Sequence, residues 1–153
     1  MNVIDLHGFS DDAIVGPEQG ATRIFIWCTS AVAGHVIGLH HHGGEEISRV
    51  LYGRLRFRVG DEVREVGAGE VVIIPPGVDH AYQVLEDAGI ESYGQIGSGI
   101  FTTETRGDGT VVEHELYVKD VPWSRTPPPG TQYVTREDQL RRFRRQFAEK
   151  PFI

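Results

Sequence analysis

Apolar and polar residues alternate in short runs along most of the chain. Runs rich in Val, Ile, Phe or Tyr fall at 23–28, 35–42, 47–52, 54–59, 62–66, 70–74, 80–85, 90–96 and 111–118, bounded by Gly, Pro or Asp. β-branched and aromatic residues suit a pleated, half-buried surface, so these runs predict strands. Short strands at this spacing imply an all-β sandwich or barrel. In 54–59, Leu55, Phe57 and Val59 share one face and should point to the core, while Arg54, Arg56 and Arg58 share the other. Gly60-Asp61 reads as a two-residue hairpin turn with glycine first.

The pattern changes after residue 120. Pro127-Pro128-Pro129 cannot enter a helix or a central strand and predicts a stiff extended connector. Thr135 followed by Asp138 is a helix start, and Leu140, Phe143 and Phe147 recur at helical spacing. Arg141, Arg142, Arg144 and Arg145 are read as a solvated helix face. The expected organisation is an N-terminal arm over 1–20, a β-barrel over 21–120, and a Pro-rich connector with a short C-terminal helix over 121–153.

One cluster stands out from this pattern. His40, His41 and His42 precede Glu45 and Glu46, and His80 follows Pro75 and Gly77. His40 and His42 are two apart, so a strand would project them from one face and turn His41 away. Gly43-Gly44 would then bend Glu45 or Glu46 back toward that face. Neutral imidazoles with a carboxylate are a suitable set for a divalent transition metal. The isolated histidines His7, His35 and His114 are assigned to surface or hydrogen-bonding roles. Cys28 lies in an apolar run and is expected to be a strand residue rather than a reactive thiol.

The surrounding residues resemble a known family. Gly34 is followed by five residues, His40-x-His42, three residues, Glu46, six residues and Gly53; later Gly69 is followed by five residues, Pro75-x-Gly77, two residues and His80. These spacings resemble the two motifs of the cupins, over Gly34 to about Val84. One position departs: where the second motif usually has Asn, this chain has Val84. The resemblance implies a double-stranded β-helix (cupin, or jelly-roll) barrel holding a metal by His40, His42, Glu46 and His80. The six-residue gap to Gly53 selects Glu46 over Glu45. Alternation from Glu46 would also place Ser48, Val50 and Tyr52 inward, and Tyr82 would share the face of His80. Either Tyr93 with Gln95 or Ser92 with Gly94 should face in; the pattern does not choose.

Bulk properties narrow the function further. At 153 residues, with 39% apolar and 24% charged residues, the chain is the size and composition of one soluble domain. A net charge of −7 argues against general nucleic-acid binding. No stretch approaches the ~18 apolar residues that cross a bilayer, and no secretory signal pattern is seen at the start, so a cytoplasmic location is expected. One cysteine excludes an internal disulfide.

Three functional classes follow from the resemblance. The first is a metalloenzyme acting on a small carbonyl or enol metabolite, with one Fe, Mn, Ni, Zn or Co ion per chain as Lewis acid and Tyr82, or Glu45 if turned inward, shuttling a proton. Isomerases, cyclases and lyases share this logic, and polyketide-cyclase-like and sugar-isomerase-like proteins occur among small cupins. The second is an O₂-dependent dioxygenase. The third is a binding cupin without catalysis. A small-molecule substrate is the partner expected, with no nucleic acid or membrane, and the family resemblance also implies a homodimer.

Overall fold

The computed structural model describes residues 1–4 and 13–152. Among the described residues, nine strands and one long helix make up most of the regular structure: β1 Ala13–Val15, β2 Ile24–Ala31, β3 Val36–His40, β4 Glu46–Val59, β5 Glu62–Gly67, β6 Val71–Ile74, β7 His80–Gln95, β8 Phe101–Thr105, β9 Val111–Glu115 and α1 Arg136–Glu149. Every pairing between these strands is antiparallel. β1, β2, β7, β4 and β5 lie in that order, with β3 also on β7 and β6 also on β4, while β8 and β9 form a separate hairpin.

The two longest strands curve the sheet. One end of β4, near Glu46, pairs with β6 and the other with β5. One end of β7, near His80, pairs with β3 and the other with β2. Along the β4–β7 ladder the register shifts between Val50 and Leu55. Gly53 sits in this bulge with φ of +81°, and a Cβ there would lie 2.7 Å from the Ala88 Cα. Only glycine fits such a corner without strain, and the bulge re-aims every later side chain. Before it Ser48 and Val50 face inward; after it Leu55 and Phe57 do. Tyr52, expected inward, is therefore half exposed and covers Gly89 instead.

The runs expected at 47–52 and 54–59 are thus one bulged strand, and those at 80–85 and 90–96 are another. β8 was not expected, and β1 adds an edge strand within the stretch expected as an arm. His7 lies outside the described residues. The hairpin turn has Gly60 at φ of +59°, with Val59 paired to Glu62. Arg54 pairs with Glu65 and Glu86, and Arg56 with Glu65, so carboxylates offset this cationic strand face.

The core has two main clusters. Val50, Leu55, Phe57, Val66, Val84, Ala88 and Ile90 fill one end. Phe25, Trp27, Ile37, Ile100, Val118, Trp123 and Phe143 fill the other. The second cluster needs the helix. Thr135 caps α1, accepting from the Asp138 backbone N–H at 3.1 Å. The helix then lays Phe143 into the core, while Arg141 and Arg145 pair with acidic neighbours on its solvent side. Gln146 Nε2 donates to the Leu39 carbonyl, and Gly38 leaves room for the helix to approach β3. No helix among the described residues is long and apolar enough to cross a membrane.

Candidate metal centre

β3 and the start of β7 bring the histidines together. His40 is paired opposite His80 in the ladder, and their ring centroids are 4.2 Å apart. His42 follows just beyond β3, with its ring 5.0 Å from that of His40 and 5.5 Å from that of His80. One ring nitrogen from each of the three lies within 4.8 Å of those from the other two.

The second nitrogen of each ring fixes its tautomer. His40 Nδ1 lies 2.8 Å from the Gly38 carbonyl, His80 Nδ1 2.9 Å from that of Val78, and His42 Nδ1 2.5 Å from that of Gly99. A carbonyl only accepts, so each Nδ1 carries the proton, and a neutral ring then presents a lone pair at Nε2. This backbone support is what orients histidines as metal ligands.

Glu46 completes the group from the first position of β4. Its Oε2 lies 3.3 Å from His42 Nε2 and 3.5 Å from His80 Nε2. Ser48 donates to its Oε1 at 3.2 Å and lies 2.9 Å from the Ser92 hydroxyl, which holds the carboxylate in this orientation. Burial opposes ionisation of Glu46, but its contacts with His42 and His80 outweigh burial and hold the carboxyl well below its ordinary range. Burial, reinforced by His80 and His42, keeps His40 well below the ordinary histidine value and therefore neutral. His80 Nε2 is buried with no hydrogen-bond partner among the described residues. With each Nδ1 committed to a carbonyl, an Nε2 that faces the buried carboxylate must share either a proton or a metal cation with it, since a bare lone pair would repel it. The donor set therefore fits a divalent transition metal, with nitrogen and oxygen ligands and no thiolate.

The site opens into a cavity that leaves ≈ 70 Å³ for the centres of water-sized molecules. That exceeds the space one water needs several-fold, enough for a small ligand. The walls are mostly apolar, including Phe25, Ile37, Phe57, Ile100 and Phe143. Tyr82 lines it on the face it shares with His80, and its ring packs 5.2 Å from that of Phe57. Ser92 faces in with Gly94, which resolves the choice left open along that strand. Glu45 is exposed and is not part of the lining: Glu46 enters the strand facing in, so its predecessor faces out.

His41 does turn away from His40 and His42, yet it is buried. Its Nδ1 lies 2.8 Å from Asp79 and its Nε2 2.9 Å from Glu113, while its ring stacks on Phe101. It clamps the β8–β9 hairpin to the barrel. His114 pairs with Glu104 on the surface at 2.8 Å. Cys28 is partly buried beside Glu91, with burial and that carboxylate pushing its thiol up.

Sequence reasoning missed the other wall of the cavity. Trp27 of β2, Trp123 of the connector, and Arg136, Gln139 and Phe143 of α1 all line it. The signal was present in α1: residues 136, 139 and 143 recur at i, i+3 and i+7, a stripe that mixes polar with apolar groups.

Comparison with known proteins agrees with this architecture. Residues 27–91 match the family described as Cupin domain. KdgF from a Halomonas species is 21% identical, aligned over 55% of this chain and 76% of its own, with a TM-score of 0.51. TT1209 from Thermus thermophilus is 19% identical over 62% of this chain and 97% of its own, with a TM-score of 0.50. Oxalate decarboxylase from Bacillus subtilis, an enzyme by name, is 23% identical over 54% of this chain and 24% of its own, with a TM-score of 0.50. No curated protein sequence matches significantly. Residues 27–91 thus match a cupin domain, and the fold is the mostly antiparallel β-barrel seen in these neighbours, with a short C-terminal helix.

Proposed function

We propose that this protein is a metal-dependent cupin enzyme acting on a small carbonyl or enol metabolite by proton transfer, of the isomerase, cyclase or lyase type. The observation that carries this proposal is the convergence of nitrogens from His40, His42 and His80 within 4.8 Å, beside the Glu46 carboxylate. These four residues would hold one Fe, Mn, Ni, Zn or Co ion. Such an ion, when bound, supplies Lewis acidity at a substrate oxygen and eases loss of a proton from the adjacent carbon.

The remaining work falls to the chain. Phe25, Phe57 and Phe143 give the cavity apolar walls, which strengthen polar interactions made against them. Ser48 and Ser92 keep the Glu46 carboxylate turned toward the histidines. Tyr82 stands in the same lining and is assigned the proton-carrying role. The exposed Glu45 has no part in it. The homodimer belongs to the same proposal, and light scattering at micromolar concentration checks it.

Metal analysis of protein purified without chelator tests the premise. About one ion per chain is expected, falling below about a tenth in His42→Ala while circular dichroism still reports a folded barrel. Wild-type protein holding less than about a tenth of an ion after metal-replete growth would refute the proposal. Deuterium uptake from solvent into a turned-over substrate is expected under anaerobic conditions. Activity that disappears without O₂ would place the reaction among the dioxygenases instead.

A further inference from the structure

The wall facing the histidines has its own chemistry. Trp27 and Trp123 stack with ring centroids 4.2 Å apart. The Arg136 guanidinium lies over both rings, 4.8 Å from the Trp27 centroid and 5.5 Å from that of Trp123. Arg136 also donates to the buried Gln139 side chain, which holds the fork in place. Trp123 reaches both ends of the cavity, since its ring is also 6.5 Å from that of His42.

Two further donors sit at this end. Trp27 and Trp123 are 8% and 6% exposed, and neither indole Nε1–H has a hydrogen-bond partner among the described residues. A buried indole N–H ordinarily finds an acceptor, because leaving it unmatched costs about 1–3 kcal/mol. Arg136 stands at the first turn of α1, where the helix end adds positive partial charge. A guanidinium carries five N–H donors and can serve several acceptors at once. Arginine, helix end and indoles are all donors, so this end is built for an acceptor-rich, negatively charged group. A planar carboxylate matches the arginine fork best.

We propose that Arg136, with Trp27, Trp123 and Gln139, forms an anion subsite that grips a carboxylate of the substrate while a second oxygen of the same molecule faces His40, His42 and His80. This rests on the metal-site function proposed above and narrows its substrate to a small carbonyl or enol compound that also bears a carboxylate. Arg136 is a binding and positioning residue in this scheme, and no bond changes at it.

The chain's two tryptophans are both in the subsite, so intrinsic fluorescence reports on it directly. The probe is lactate, with lactamide as its uncharged counterpart, titrated into metal-loaded and chelator-treated protein. Lactate should change the emission saturably in both forms, with lactamide at least about tenfold weaker. Arg136→Gln should weaken lactate about tenfold or more, and Arg136→Lys should fall between, retaining charge but losing the fork. Equal binding of lactate and lactamide, no effect of Arg136→Gln, or no response in either form overturns the subsite. Lactate binding that persists in a protein holding no metal even after metal-replete growth would sink the metal-site function and leave the subsite standing. A metal-loaded protein indifferent to lactate would sink the subsite alone.

Discussion

Phe143→Ala tests whether α1 is an integral wall of the cavity beside the three histidines. The ring is 2% exposed and lies in the cluster of Trp27, Ile37, Ile100 and Trp123. It also stacks on His40, with centroids 5.2 Å apart. A buried phenylalanine removes about 150–250 Å² from water, and at ~25 cal/mol per Å² its loss is worth several kcal/mol. Truncation to alanine keeps Cβ and leaves a cavity between helix and barrel, so about 3–5 kcal/mol of unfolding free energy should be lost. That is a large share of the ~5–15 kcal/mol that holds a domain together. Urea unfolding followed by circular dichroism and tryptophan emission measures it. The ligands sit on or beside β3, β4 and β7, so folded variant should still bind metal. A loss below about 1 kcal/mol would mean that the helix is not docked on β3 in solution. A full loss of metal from well-folded variant would refute the separation of wall from ligands.

Two other perturbations probe the frame of the site. Gly53→Ala should cost at least about 2 kcal/mol, because a left-handed φ of +81° is combined with a Cβ pressed on the Ala88 backbone. Gly69→Ala, at φ +86° but in open space, should cost only the conformational part, about 1–2 kcal/mol, and equal losses in the two would refute the clash. The Glu115 carboxyl is held below its ordinary range, chiefly by hydrogen bonds from Arg125, although burial opposes this. A depressed folded value stabilises the protein above the unfolded carboxylate pKa and is lost as pH falls below it, so thermal stability should drop from about pH 4.5 downward. Glu115→Gln should flatten that slope, by no more than about 1 kcal/mol for a pair with one exposed partner, and an unchanged slope would show that the pair contributes nothing.

Much of the site was legible in the residues alone. Alternation turned His41 away from His40 and His42, and the family spacing selected Glu46, which lies 3.3 Å from His42. The bulge at Gly53 was also foreshadowed. Even-numbered positions faced inward up to Val50 and odd-numbered ones from Leu55, a change of parity that requires a shift in register between them. Tyr52 fell on that boundary, so simple alternation assigned it to the wrong face.

The features that could be read from the residues are those under short-range control. Period-two patterning set the strands, glycines with positive φ set the turns, and Thr135 set the start of α1. The histidine spacing set which rings share a face. These depend on residues a few positions apart, where backbone geometry alone couples them. It took the folded barrel to put Ser92 rather than Tyr93 into the cavity, to leave Glu45 outside it, and to close it with Arg136, Gln139 and Phe143 of α1 against Trp27 and Trp123. The contacts that close it join segments as much as a hundred or so residues apart, and packing selects them from many surfaces that an amphipathic helix could cover.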